Sequence, residues 1–307
     1  MSLHRLNSLV IGVPNVEETA AYYRDFGLAR DHGGGFATRD GGRQLEIVHA
    51  PTRRLVEISV GVDDTDDLER ISRRLAALDL QVKRDGGALV TEEPVAGFRA
   101  VVRIADRIHQ DREPPTPYNG PGRLERPNGR APGVLRQQQV RPRKLGHVVI
   151  GSVDHQATAR FFTEGLGFRI SDYIKDHGAF MRCSTDHHNV LVLGAPVNFL
   201  HHTSWQVEDV DEVGRGASAM LQDHPDRHVW GLGRHHAGSN FFWYLKDPAG
   251  NFSEYYSDMD CVIDDQLWTP EVLDGAKGLF NWGPPPPPSF LRPDDLAALM
   301  TGTHHAA

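Results

Sequence analysis

Leu145-Gly146-His147-Val148-Val149-Ile150-Gly151-Ser152-Val153, continuing through Asp154 to Glu164, occurs in this chain in two versions. The earlier one reads Leu6-Asn7-Ser8-Leu9-Val10-Ile11-Gly12-Val13 and continues from Asn15 to Asp25. Each is a short β-branched strand that runs into an amphipathic helix. Asn15, with Glu18 three residues on, reads as a helix N-cap, and Asp154 takes that place in the later version. Gly27 in the first, and Gly165 and Gly167 in the second, close the helices. A further pair follows. Arg54-Leu55-Val56-Glu57-Ile58 through Asp64 matches Phe199-Leu200-His201-His202-Thr203 through Asp209, and each leads into a helix, near 68–80 and 210–222. The repeating unit is a strand, a helix and several strands, and it occurs four times. This predicts an α+β protein of two domains, each made of two βαβββ modules that curl a mixed sheet around a cavity.

The chain has 307 residues, enough for about two domains at roughly 100–200 residues each. Residues 1–113 form the first domain. The stretch 114–143, rich in proline, glycine and arginine, reads as a linker. Residues 144–265 form the second domain. Residues 266–307 form a tail whose proline run, Pro284 to Pro288, is stiff and sits between Trp282 and Phe290. Those aromatics favour a tail that packs on the body or closes over a pocket as a lid. Hydrophobic residues are 39% and charged residues 24%, which suits a packed soluble core. A net charge of −8 argues against nucleic-acid and anionic-membrane partners. No apolar run approaches the roughly 18–20 residues of a membrane span, and Met1 to Asn7 lacks the apolar stretch of a signal peptide. Two cysteines make no disulfide framework, so the expected setting is the reducing cytoplasm.

The chemistry concentrates in the second half. Eleven of the 17 histidines fall between His147 and His236. His147 opens the first strand of its repeat. Leu200, His202, Ser204 and Gln206 share one face of another strand, because side chains alternate. Asp247-Pro248-Ala249-Gly250 is a turn that joins Phe241–Leu245 to Phe252–Tyr256 as a hairpin. Glu254 is central in that hairpin's second strand, and a carboxylate there is costly unless paired or metal-bound. Two histidines and one carboxylate on a rigid sheet form the facial triad of non-haem Fe(II) centres, with open positions left for other ligands. The first half is an internal control. Ser8 stands where His147 does, Glu57 where His202 does, and Phe98–Arg103 holds no carboxylate to match Glu254.

These motifs resemble the type I extradiol ring-cleavage dioxygenases of the vicinal-oxygen-chelate superfamily, from Leu6 to about Asp260. The resemblance rests on Leu145-Gly146-His147, Asp186-His187-His188-Asn189-Val190-Leu191, Leu200-His201-His202, Gly233-Arg234-His235, Tyr244 and Ser253-Glu254-Tyr255. It implies the vicinal-oxygen-chelate fold, with metal ligation by His147, His202 and Glu254. It implies His188 as acid/base, and His235 and Tyr244 as hydrogen-bonding partners of substrate or oxygen. The expected metal is Fe(II) or Mn(II), since ligand type does not separate them. The expected partners are a small aromatic diol and O2, with the chain in a homo-oligomer. Two other readings stay open: a glyoxalase-like isomerase, which wants a fourth protein ligand, and a non-catalytic aromatic- or antibiotic-binding protein, which needs no metal.

Overall fold

Strand-forming runs of valine, isoleucine and leucine separate into two sheets in the structure, a computed structural model that describes residues 3–301. The first sheet contains β1 (Leu3–Val13), β2 (Ala29–Arg30), β3 (Phe36–Thr38), β4 (Gly42–His49), β5 (Arg54–Val62), β6 (Lys83–Asp85), β7 (Ala88–Glu92) and β8 (Arg99–Ile104). Their order is β2-β3-β4-β1-β5-β8-β7-β6. The second sheet contains β9 (Lys144–Ser152), β10 (Arg169–Ile174), β11 (Gly178–Arg182), β12 (Val190–Gly194), β13 (Phe199–Gln206), β14 (His228–Arg234), β15 (Phe241–Lys246), β16 (Phe252–Ser257) and β17 (Val272–Leu273). Its order is β14-β15-β16-β13-β9-β12-β11-β10-β17. Read from its other edge, it repeats the first sheet strand for strand and adds β17.

The repeat is therefore structural. In every module the first strand pairs in parallel with the last: β1 with β4, β5 with β8, β9 with β12, β13 with β16. Sister modules join through antiparallel first strands, β1 with β5 and β9 with β13. The crossover helices span Val16–Asp25, Thr65–Ala76, His155–Arg160 and Val210–Leu221. The third continues as a wider π turn from Phe161 to Leu166. Asp64, Asp154 and Asp209 each cap their helix by accepting a backbone N–H three residues on. Asn15 differs from expectation. It makes no cap bond to its helix, and its amide instead donates to the Pro248 carbonyl of the second domain at 2.9 Å.

The first domain braces the back of the second. Its first helix presents Tyr22, Tyr23 and Phe26, all buried. Phe26 stacks on Tyr255 at 3.8 Å, and Tyr23 packs edge-on against Trp205. The Tyr22 hydroxyl sits 2.5 Å from Ser253 Oγ. Buried aromatics of this kind carry about 1.5–3 kcal/mol each. Trp205 and Tyr255 thus point away from the neighbouring Ser204 and Glu254, which leaves the opposite face of β13 and β16 free for a site.

The connecting stretch is tied down as well. Arg136 grips Asp209 with two bonds of 2.9 and 2.7 Å, and the Gln139 amide donates to the Arg24 and Asp25 carbonyls. After the last hairpin the chain returns to the second sheet as β17 beside β10, then forms a helical turn at Pro288–Leu291 that buries Phe290. Among the described residues no helix is long and apolar enough to cross a membrane.

Candidate metal centre

Strand register sets the site. Ser204 on β13 pairs with His147 on β9 at one side and with Glu254 on β16 at the other, and Glu254 pairs with Tyr244 on β15. His147, Ser204, Glu254 and Tyr244 therefore form one row across four adjacent strands. His202 stands two residues from Ser204 along β13. Two irregularities refine this. Gly146 falls at a register break opposite Ser204 and Trp205, and a Cβ there would lie 2.1 Å from Tyr256 Oη. A second break at His201 interrupts strict alternation, so that His201 lines the cavity together with His202.

The three predicted ligands come together. His147, His202 and Glu254 each offer a donor atom, and all three atoms lie within 4.8 Å of one another. Glu254 Oε2 is 3.0 Å from His147 Nε2 and 3.7 Å from His202 Nε2. The three side chains are buried, with Glu254 fully so. Glu254 Oε2 and His202 Nε2 have no hydrogen-bond partner in the protein. Buried polar atoms left in this way are costly, and a divalent cation between them would satisfy both. The donor set thus fits the metal. The first domain lacks it: Ser8 pairs with Ser59, Ser59 pairs with Val101 where the second domain has Glu254, and Glu57 is ion-paired to Arg99 at 3.0 Å.

His188, His235 and Tyr244 border the same cavity of about 730 Å³, whose apolar walls include Phe180, Leu191, Leu273 and Phe290. The His188 ring centre lies 4.2 Å from that of His147. Asn189 fixes the approach, because its amide donates to the Gly146 carbonyl at 3.0 Å while its oxygen accepts the Cys183 N–H at 2.8 Å. His235 Nδ1 donates to the Leu279 carbonyl, which leaves Nε2 to accept the Tyr244 hydroxyl at 2.9 Å. Burial holds the His188 and His202 imidazoles well below the usual histidine range, and neighbouring histidines add to the effect. Burial also lowers His235, against the pull of Glu254. Burial, followed by the Glu254 charge, pushes the Tyr244 phenol well above its ordinary value, so it stays a donor.

Sequence reasoning missed the groups behind these. His187 Nε2 lies 3.0 Å from Asp172 Oδ2, and its Nδ1 lies 3.0 Å from His188 Nδ1. His201 Nε2 lies 2.6 Å from the Phe290 carbonyl, and its Nδ1 is 2.8 Å from His202 Nδ1. Asn240 donates to Glu254 Oε1 at 3.2 Å. The doubled histidines were the visible signal. Asp172 and Asn240 carry none, because only the fold brings them to the site.

The model of the Glyoxalase/Bleomycin resistance protein/Dioxygenase superfamily matches residues 144–255. Metapyrocatechase 2 of Cupriavidus necator is 34% identical over 239 residues, which covers 74% of this chain and 71% of that protein. The chain belongs to the extradiol dioxygenases of this superfamily. The manganese-dependent 2,3-dihydroxybiphenyl 1,2-dioxygenase of Geobacillus genomosp. 3 is 23% identical, with 91% of this extradiol dioxygenase and 94% of that protein aligned. Among solved structures, the Mn(II)-bound glyoxalase from Novosphingobium aromaticivorans matches with a TM-score of 0.71 at 25% identity, covering 92% of this chain and 93% of that one.

Proposed function

We propose that this extradiol dioxygenase opens a catechol-type ring with O2 at a divalent iron or manganese ion held by His147 Nε2, His202 Nε2 and a Glu254 oxygen. The observation that carries the reading is the convergence of three buried donors, with His202 Nε2 and Glu254 Oε2 unpartnered, at a cavity lined by His147 and His202. When bound, the ion supplies Lewis acidity to the substrate's two hydroxyls and an open position for O2.

The protein's own groups do the rest. A carboxylate only accepts, so His187 Nε2 carries a proton toward Asp172, its Nδ1 accepts, and His188 Nδ1 donates to it. That polarity leaves His188 Nε2 bare. It takes the proton of a substrate hydroxyl and returns it to the oxygen atom released when the O–O bond breaks, an atom that then adds back to the substrate as the ring opens. Burial keeps this imidazole neutral before substrate arrives. The Tyr244 hydroxyl, which gives its proton to His235 in the resting protein, orients a bound oxygen atom by turning that donor onto it. The apolar walls and Phe290 exclude water. Both oxygen atoms of O2 enter the product, and the bond broken joins a hydroxyl-bearing ring carbon to its unhydroxylated neighbour.

Among the described residues the converging His, Cys, Asp and Glu donors number three, which favours the dioxygenase over a glyoxalase-like isomerase with a fourth ligand, and the donor triad itself argues against a metal-free binding protein. The free Cys183 and Cys261 fit a reducing cytoplasm. Exposed apolar side chains at Ile263, Leu267 and Val272 fit assembly into a homo-oligomer. Anaerobic loading with Fe(II) or Mn(II), then oxygen uptake and absorbance of ring-opened product over a panel of mono- and bicyclic catechols, tests the reading. Product formation that His147→Ala and Glu254→Gln abolish is expected. Turnover that survives both substitutions would overturn it.

A further inference from the structure

We propose that His201 is a positioning residue: pinned by the Phe290 carbonyl, it holds His202 in the form whose Nε2 is bare, so that metal retention depends on docking of the segment Pro288–Leu291. The inference rests on the reading above that His202 is a ligand.

The hydrogen-bond polarity is forced from one end. A carbonyl oxygen only accepts, so the 2.6 Å contact at Phe290 requires the proton on His201 Nε2. His201 Nδ1 is then the acceptor, and the 2.8 Å contact requires the proton on His202 Nδ1. His202 Nε2, which faces Glu254 Oε2 at 3.7 Å, is left with its lone pair free. The opposite polarity would cap His202 Nε2 with hydrogen and would set a bare His201 Nε2 against the Phe290 carbonyl, two lone pairs face to face. Only the first form can ligate a metal.

The arrangement is built rather than incidental. The register break at His201 brings both rings to the cavity side of β13. The His201 ring meets Phe252 and Phe290 edge-on and is buried. The Phe290 ring in turn packs on Tyr244 and Trp230, and Trp230 Nε1 donates to the Pro284 carbonyl at 2.7 Å. A few residues on, Asp295 is clamped by the buried Arg53 through bonds of 2.5 and 2.8 Å. The carbonyl that sets the chain of protons is therefore delivered by a separate segment of the polypeptide, and undocking that segment removes it.

Mn(II) titration calorimetry on metal-stripped protein tests this without reading turnover. The variants are wild type, His201→Leu, His201→Asn and Glu254→Gln, and the first three are also made without residues 288–307. His201→Leu keeps the bulk and loses the acceptor, and it weakens Mn(II) binding about ten- to a hundredfold. His201→Asn places Oδ1 where Nδ1 stood and can only accept there, so it keeps most of the affinity. Removing 288–307 weakens the wild type and leaves His201→Asn unchanged, because the amide oxygen needs no carbonyl to orient it. Nitrogen-15 shifts of His202 show Nδ1 protonated in the wild type and His201→Asn, and a mixture of forms in His201→Leu. Equal losses in His201→Leu and His201→Asn would overturn the proposal in favour of plain packing, as would a truncation that weakens both backgrounds alike. If Glu254→Gln abolishes binding while His201→Leu does not change it, the relay alone falls. If Glu254→Gln also binds Mn(II) normally, the metal centre falls and the relay with it.

Discussion

Asp172 Oδ2 stands 3.0 Å from His187 Nε2, and the other oxygen of the same carboxylate accepts the Glu271 N–H at 2.8 Å. One acidic side chain therefore fixes a proton on His187 and at the same time holds the strand β17 that closes the sheet. His187 passes the polarity on to His188. Asp172→Asn has one oxygen for two donors, and its amide nitrogen meets a donor. The expected result is a fall in kcat of roughly tenfold or more, with KM for the diol and Mn(II) affinity little changed. Oxygen-uptake kinetics beside calorimetry check it. A loss of metal binding in this variant would mean that Asp172 supports the ligands instead.

The buried histidines also set how the metal-free protein responds to acid. Burial pushes His201 down to about 4, against the pull of the Phe290 carbonyl, and holds His188 and His202 well below the ordinary range. Their folded values lie below the unfolded value of about 6.5, so the unfolded chain takes up protons first as pH falls. The stability these groups contribute is therefore complete above about pH 6.5 and is lost as pH drops toward the folded values. His201 alone accounts for a loss on the order of 3 kcal/mol by about pH 4. Urea unfolding of metal-stripped protein between about pH 7.5 and pH 5 should show a falling midpoint, with a shallower slope in His201→Asn.

The strand–helix repeat was legible because apolar periodicity repeats with the modules, and Ser8, Glu57 and Val101 show in three dimensions how one half keeps the scaffold without the proposed ligands. The convergence of His147, His202 and Glu254 was foreseeable because each departs from the apolar pattern of its strand. Asp172, Asn240 and the Phe290 carbonyl were not. An aspartate on a strand resembles any surface acid, and a backbone oxygen has no sequence signature. Asn15 misled for a related reason. Its pattern as a cap is sound locally, but the turn at Pro248 offers its amide a carbonyl from the other domain.

The tail is clamped through a buried charge. Arg53 is fully buried, its Nε and Nη2 held by Asp295 at 2.5 and 2.8 Å and its Nη1 donating to the Leu200 carbonyl at 2.6 Å. Asp295→Ala strands that guanidinium. A loss of about 3 kcal/mol is expected, the lower end of the range for breaking a buried pair because Asp295 is partly exposed. Phe290 then loses its fixed place over the cavity, and KM for the diol rises. Thermal unfolding and steady-state kinetics test the two effects separately. A lowered Tm with an unchanged KM would show that the segment stabilises the fold without covering the substrate.

Gly146 is where the position of a proposed ligand meets the packing limit of the core. It precedes His147 directly, and a Cβ at this residue would lie 2.1 Å from Tyr256 Oη and 2.4 and 2.5 Å from two carbons of the same ring. Tyr256 is completely buried and cannot swing aside. In Gly146→Ala the strand must move, and His147 moves with it. Overpacking of this kind costs about 1–3 kcal/mol. Mn(II) binding should weaken about tenfold or more, since the donor atom is carried off its place. Tyr256→Phe alone should be neutral or slightly stabilising, because the hydroxyl it removes is buried without a partner. The double variant should stay impaired, because the ring carbons still occupy the space that the added methyl needs. Were Gly146→Ala to bind Mn(II) as tightly as the wild type, the register break at this glycine would not be what places His147.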